Sequence, residues 1–177
     1  MVKRIERELV HKGSILDVYT DTMELPDGKI EKWDYIKHRK GAAAVVTVLE
    51  DGRLLMVRQY RNALERFTLE IPAGARDSVT ESTLECAARE LEEETGYRCE
   101  NLEFLLSLQT TVAFCNEMVD VYVARNLIPS RQKLDAAEDI ELQAYSLEDL
   151  CQRIYKGEIQ DAKTVAAIMA YKNKYHL

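Results

Sequence analysis

Ser82-Thr83-Leu84-Glu85-Cys86-Ala87-Ala88-Arg89-Glu90-Leu91-Glu92-Glu93-Glu94-Thr95-Gly96 is the stretch from which the fold is read. Ser82, with Glu85 three residues on, forms a capping box: the hydroxyl accepts the Glu85 N–H while the carboxylate reaches back to the start of the helix. Gly96 is a natural left-handed stop, so the spacing predicts a helix that runs to Thr95. At 3.6 residues per turn, Leu84, Ala87, Ala88, Leu91 and Thr95 fall on one stripe that should face a sheet. Glu90, Glu93 and Glu94 cluster on an adjoining face, with Glu85 and Glu92 further round toward solvent.

That cluster is unfavourable for an isolated helix. Glu90 and Glu94 are a like-charge pair at i,i+4, and the acids occupy the last turns, where the helix dipole favours cations. Only Arg89 lies among them. A sequence that breaks local rules in this way points to a functional site. A hard divalent cation offsets the repulsion, because Mg²⁺ takes a few carboxylate oxygens together with water and substrate phosphate. The plain alternative is a solvated acidic face.

Outward from the helix, strands dominate. Leu25-Pro26-Asp27-Gly28-Lys29 predicts a turn between strands at 19–24 and 30–37. Residues 42–49 are a near-continuous apolar run, as in a strand covered on both faces. Asp51-Gly52 turns the chain into a partner strand at 53–59, and 69–72 reads as a short strand ending at Pro72-Ala73-Gly74. Further strands are predicted at 102–108, 118–124 and 140–146. Helices are predicted at 147–155, capped by Ser146, and at 162–175, capped by Asp161. The expected class is mixed α/β (α+β), with residues 1–38 as an appended antiparallel segment and 39–177 as the main domain.

Composition narrows the function. The net charge of −7 disfavours a nucleic-acid backbone as partner, yet leaves a small anionic substrate open where a metal reverses the local sign. Cys86, Cys99, Cys115 and Cys151 contain no C-x-x-C pair and read as reduced thiols. The start, Met1 to Glu8, has no apolar leader core, and no apolar run is long enough to span a bilayer. A cytoplasmic location and no membrane contact are expected.

The segment Gly74, Glu81, Arg89-Glu90-Leu91-Glu92-Glu93-Glu94-Thr95-Gly96-Tyr97 closely resembles the Nudix box. The family pattern is Gly, five residues, Glu, seven residues, then Arg-Glu-apolar-x-Glu-Glu-x-Gly-apolar. The match is complete from Glu81 to Tyr97, but six residues separate Gly74 from Glu81. The resemblance implies an α/β/α sandwich with a mixed sheet. It implies that Glu90, Glu93, Glu94 and the Ala73 carbonyl hold Mg²⁺ (or Mn²⁺), and that Arg89 orients the glutamates. It also implies in-line attack of a metal-activated water on a diphosphate.

Beyond the box, the chain looks most like the ADP-ribose pyrophosphatase branch. Arg58-Gln59-Tyr60-Arg61, Leu69-Glu70-Ile71-Pro72-Ala73-Gly74, Phe114-Cys115-Asn116-Glu117 and Gly157-Glu158-Ile159-Gln160-Asp161-Ala162-Lys163-Thr164-Val165 carry the likeness. So does the N-terminal segment, which resembles a small sheet exchanged between the subunits of a homodimer. The implied substrate is ADP-ribose or a similar nucleoside diphosphate sugar. Arg61, Glu70 and Arg39 are implied at the substrate, with Arg61 matching phosphate oxygens. Trp33 either stacks on adenine or packs at the hairpin or dimer contact. Glu138 is implied as general base, with a solvated loop acid as its plain reading and Glu117 as second choice. Thr111-Val112-Ala113 stands where the branch carries Pro-Gly, which removes a rigid turn. Two other functions fit the box: clean-up of oxidised nucleoside triphosphates, and nucleotide sensing without cleavage.

Overall fold

The apolar run of the sequence becomes the middle of a sheet. In the computed structural model, which describes residues 1–134 and 139–177, strand β4 spans Ala42–Val48 and is almost wholly buried. Its side chains alternate between two cores. Ala43 and Val45 join Cys86, Ala87, Leu91, Tyr122 and Ala124 on one face. Ala44, Val46 and Val48 join Leu150, Cys151, Ile159, Ala167 and Ile168 on the other. That alternation is why the run reads as continuously apolar: both faces are covered.

The chain divides into two compact units. The larger comprises residues 42–108 and 119–177. Its strands are β4, β5 (Leu54–Arg61), β6 (Arg66–Glu70), β7 (Ala73–Ala75), β8 (Tyr97–Arg98), β9 (Leu102–Gln109), β10 (Met118–Ala124), β11 (Ile128–Pro129) and β12 (Ile140–Tyr145). The main sheet runs β12-β5-β4-β10-β9, with β6 on β5 and β7 on β4. The β10–β4 pairing is parallel, whereas β12, β6 and β4 each pair β5 antiparallel, so the sheet is mixed. Helix α1 (Thr83–Thr95) lies on one face. Helices α2 (Leu147–Tyr155) and α3 (Ala162–Lys174) cover the other. This is the expected α/β/α sandwich.

The smaller unit comprises residues 1–41 and 109–118. Strands β1 (Lys3–Lys12), β2 (Leu16–Glu24) and β3 (Ile30–His38) form an antiparallel meander. The Gly28 turn closes as predicted, with φ +82° and its N–H on the Leu25 carbonyl at 2.9 Å. Buried Asp21 is held bidentately by Arg7 at 2.6 Å, and the same guanidinium lies over the Tyr35 ring at 3.7 Å. Ion pairing thus organises a sheet with few apolar residues to bury. The loop at 109–118, read from sequence as part of the main domain, adds to this unit. Ile36 donates its N–H to Phe114 O at 2.7 Å, and His38 N–H donates to Asn116 Oδ1 at 2.7 Å. All ten residues of β1 are exposed, and β1 pairs β2 alone in its sheet.

Two sequence expectations change. The apolar stripe of α1 is rotated: Cys86, Ala87, Glu90, Leu91, Glu94 and Thr95 are buried, while Leu84 and Ala88 are exposed. Turning the helix this way brings two carboxylates down to the sheet while Leu91, fully buried, still contributes about 1.5–3 kcal/mol of apolar burial. The strand read at 69–72 begins earlier, at Arg66, because a 3-10 turn at Asn62–Leu64 and Glu65 at φ +52° fold β6 back onto β5.

Candidate active site

Helix α1 begins and ends as its caps dictate. Ser82 Oγ accepts the Glu85 N–H at 3.1 Å, Glu85 Oε2 accepts the Ser82 N–H at 2.8 Å, and Gly96 sits at φ +70°. The fixed register carries Glu90 and Glu94 against the short crossing from β6 to β7.

Four contacts hold that crossing. Glu94 Oε2 accepts the Ala73 N–H at 2.8 Å. Val45 N–H donates to Pro72 O at 2.9 Å, and Ile71 N–H donates to Thr164 Oγ1 of α3 at 3.0 Å. Gly74 lies against Glu90: a Cβ there would stand 2.1 Å from the Glu90 carboxyl carbon. Glu90 and Glu94 are 8% and 2% exposed, so two carboxylates are brought into a nearly dry corner beside the Ala73-Gly74 backbone.

Arg89 ties the acids together. Its Nη1 donates to Glu90 Oε1 at 2.7 Å and to Glu93 Oε2 at 2.9 Å, its Nε to Glu81 Oε1 at 3.0 Å, and its Nη2 to Ala75 O at 3.0 Å. Partial burial works against its charge, but the bonds to Glu81, Glu90 and Glu93 outweigh burial and raise its pKa. The extra residue between Gly74 and Glu81 is absorbed in the loop. Arg76 donates to the Glu81 and Val79 carbonyls, each at 2.5 Å, and Glu81 still reaches Arg89.

Among the described residues, no three acidic, His or Cys side chains already converge as a metal cage; Arg89 bridges Glu90 and Glu93 instead. The donor set nevertheless suits Mg²⁺. That ion takes one or two protein carboxylates and completes its shell with water and phosphate oxygens, and the corner offers hard oxygens only. The Cys86 thiol next to it donates to Gly74 O at 3.5 Å, and burial pushes its pKa up to about 12.

Arg61 and Glu70 stand beside this corner. Arg61 Nε and Nη2 donate to the two oxygens of Glu70 at 2.7 and 2.6 Å, and the charge of Glu94 also reaches Arg61. Burial alone raises the Glu70 pKa, but Arg61, Lys163 and Thr68 hold it at about 2. Arg61 lines a cavity of about 390 Å³ together with Arg66, Gln160, Asp161 and Lys163.

Trp33 and Arg39 belong to the smaller unit. Trp33 is 44% exposed, with its Nε1–H on Glu31 at 3.2 Å. Arg39 is paired with Asp17 and donates to the Gly13 and Ser14 carbonyls at 2.6 and 2.5 Å. Glu117, in the same unit, accepts from Thr110 Oγ1 at 2.8 Å and stands 3.6 Å from His38 Nε2. Glu138 lies outside the described residues. Sequence reasoning did not single out Lys163 or Thr164 as site residues. The only local signal was Asp161 as the cap of α3, and that cap indeed accepts the Thr164 N–H at 3.0 Å.

A sequence model of the NUDIX domain matches residues 37–168. The chain belongs to the Nudix family of hydrolases. Over 168 residues it is 39% identical to the ADP-ribose pyrophosphatase of Bacillus subtilis, covering 94% of this chain and 90% of that one. It is 38% identical, with the same coverage, to the methanol dehydrogenase activator of Bacillus methanolicus. A solved structure described as an ADP compounds hydrolase shares the fold, with a TM-score of 0.87, 22% identity, and 97% of this chain and 92% of that chain covered. In Nudix terms, Glu81, Arg89, Glu90, Glu93 and Glu94 are the charged residues of the box pattern; α1 carries the last four and β7 carries its glycine, Gly74.

Proposed function

We propose that the chain hydrolyses the diphosphate bond of ADP-ribose or a similar nucleoside diphosphate sugar, with Mg²⁺ as cofactor. The observation that carries this reading is the dry corner where Glu90 and Glu94 meet Ala73-Gly74, with Arg61 clamped beside it by Glu70. Glu90, Glu93, Glu94 and the Ala73 carbonyl would hold the metal, and Mn²⁺ would fit the same oxygens. Bound there, the ion supplies charge neutralisation of the diphosphate and acidifies an attacking water. Water adds at one phosphorus and the bridging P–O bond breaks. The products are a nucleoside monophosphate, AMP from ADP-ribose, and a sugar phosphate.

The protein's own groups divide the remaining work. Arg89 keeps the carboxylates apart and aimed. Arg61 pairs with phosphate oxygens, while Glu70 holds its guanidinium. Trp33 offers a flat face for adenine, with Arg39 nearby in sequence at the substrate edge. Glu138 takes the proton of the attacking water. The exposed strand β1 and the rest of residues 1–38 join two copies into a homodimer. No described helix is long and apolar enough to cross a membrane. The free thiols suit a cytoplasmic setting, and the net charge of −7 suits a small substrate rather than a nucleic acid.

The test is incubation of purified protein with ADP-ribose and Mg²⁺, with products followed by mass detection. AMP should appear, and a chelator should abolish it. Pyrophosphate release from oxidised nucleoside triphosphates, with sugar nucleotides untouched, would replace this reading by nucleotide clean-up. Binding without any cleavage would indicate a sensor. Sedimentation at micromolar concentration should give a dimer.

A further inference from the structure

The first turn of α3 reaches back to the strand that feeds the site. Lys163 Nζ donates to Glu70 Oε2 at 2.5 Å and to Asp161 Oδ2 at 2.9 Å. Glu70 is 2% exposed and accepts four donors. Its Oε1 takes Arg61 Nε and Thr68 Oγ1, and its Oε2 takes Arg61 Nη2 and Lys163 Nζ. Both oxygens are thus saturated, and the carboxylate can no longer rotate without breaking a charge-assisted bond. Clamped along its Nε and Nη2 edge, Arg61 keeps Nη1 outside the clamp, and the residue lines the cavity. The two cations differ in access: the Arg61 side chain is 39% exposed and that of Lys163 only 14%. Lys163 also lines the cavity, but its ammonium is already engaged by Glu70 and Asp161.

We propose that Lys163 is a positioning residue for diphosphate binding. It acts through Glu70 to fix the plane and reach of the Arg61 guanidinium. The proposal rests on the hydrolytic reading above. Asp161 serves both ends of the device: one carboxylate oxygen caps α3 through the Thr164 N–H and Oγ1, and the same oxygen accepts Lys163. Without Lys163, Glu70 keeps its bonds to Arg61 and Thr68 but loses its second cation, and the carboxylate and the guanidinium can then shift together as one pair.

The test compares wild type with Lys163→Met, Lys163→Arg, Glu70→Gln and the Lys163→Met/Glu70→Gln pair. Each is assayed on whichever nucleoside diphosphate compound the wild type cleaves best, and titrated with the α,β-methylene analogue of ADP-ribose. Lys163→Met should raise KM and weaken analogue binding by about tenfold, the scale of one charge-assisted hydrogen bond, while kcat changes far less. Lys163→Arg should restore most of the loss. The double variant should be no worse than the poorer single variant, because both substitutions cut the same linkage. A tie that merely anchors α3 would lower stability without this split between KM and kcat and without rescue by Lys163→Arg. Should Lys163→Met fail to fold, Lys163→Gln, which is polar but uncharged and too short to replace the ammonium on Glu70, carries the same expectation. Unchanged KM and analogue affinity, or losses that add in full, would overturn the proposal with hydrolysis intact. A wild type that cleaves no nucleoside diphosphate compound would remove the hydrolytic reading and this proposal together.

Discussion

The Gly74 backbone and the Glu90 carboxylate share a space that admits no further heavy atom: a Cβ on residue 74 would stand 2.1 Å from the carboxyl carbon. Glu90 is also held by Arg89 at 2.7 Å, so it has little room to yield. Gly74→Ala should therefore swing Glu90 out of place while the sheet survives. The expected outcome is a fall in kcat/KM on the order of 10²-fold, the cost of misplacing one group at a preorganised site, with a much smaller change in melting temperature. Kinetics and calorimetry on one preparation check it.

Glu94 Oε2 accepts the Ala73 N–H, and the proposed metal role calls on the charge of the same carboxylate. Glu94→Gln keeps the shape and an acceptor but removes the charge. Turnover should drop by roughly 10²–10³-fold, as when one preorganised electrostatic group is removed, while circular dichroism stays that of the wild type. The contrasting variant is Ser82→Ala, which removes the helix cap. It should cost about 1 kcal/mol of stability and leave KM alone. A Glu94→Gln enzyme with full turnover would refute the metal role.

The buried Glu70 gives an acid-side signature. Its folded pKa is held at about 2, against an ordinary 4.5. Because the folded value is depressed, the stabilisation is complete above about pH 4.5 and is lost as pH falls toward 2, a contribution on the order of 3 kcal/mol. Chemical denaturation between pH 6 and 2.5 should show this decline, with both pH limits set as an order-of-magnitude bracket around that window. Glu70→Gln should flatten it, and a wild-type curve as flat as that of the variant would contradict the assignment.

Trp33 is the only tryptophan in the chain, and 44% of it is exposed. If it stacks on adenine, its fluorescence should be quenched as ADP-ribose is titrated in without metal. Trp33→Ala should weaken binding by about 1–3 kcal/mol, the scale of one base–aromatic stack. Unaltered fluorescence at saturation would assign Trp33 to packing alone.

What could be read in the sequence was local. The capping box, the Gly96 stop, the Gly28 turn and the two-sided strand at β4 each depend on residues within one helix or turn, and each formed as expected. The Arg89 cluster was legible for the same reason, since three of its partners lie within eight residues. The rotation of α1 was not. Counting Leu84 and Ala88 on the apolar stripe misplaced it, because nothing in the helix itself says that Glu94 meets the Ala73 N–H and Glu90 meets Gly74. The Arg61–Glu70–Lys163 linkage was out of reach, because 93 residues separate Lys163 from Glu70. Only the fold makes them neighbours.

The bond from Ile71 N–H to Thr164 Oγ1 spans that same long interval. It joins parts of the chain that are made far apart in time. Residues 70–74 leave the ribosome early, with their acidic helix directly behind them, but the turn that fastens them is translated much later. Long-range contacts of this kind are the slow ones to form, so a growing chain carries an unfinished catalytic corner until residues 161–164 have been made and have folded back. Stretches of the chain that stop short of α3 lack this fastening, and should be less active than the full chain however well their box is folded.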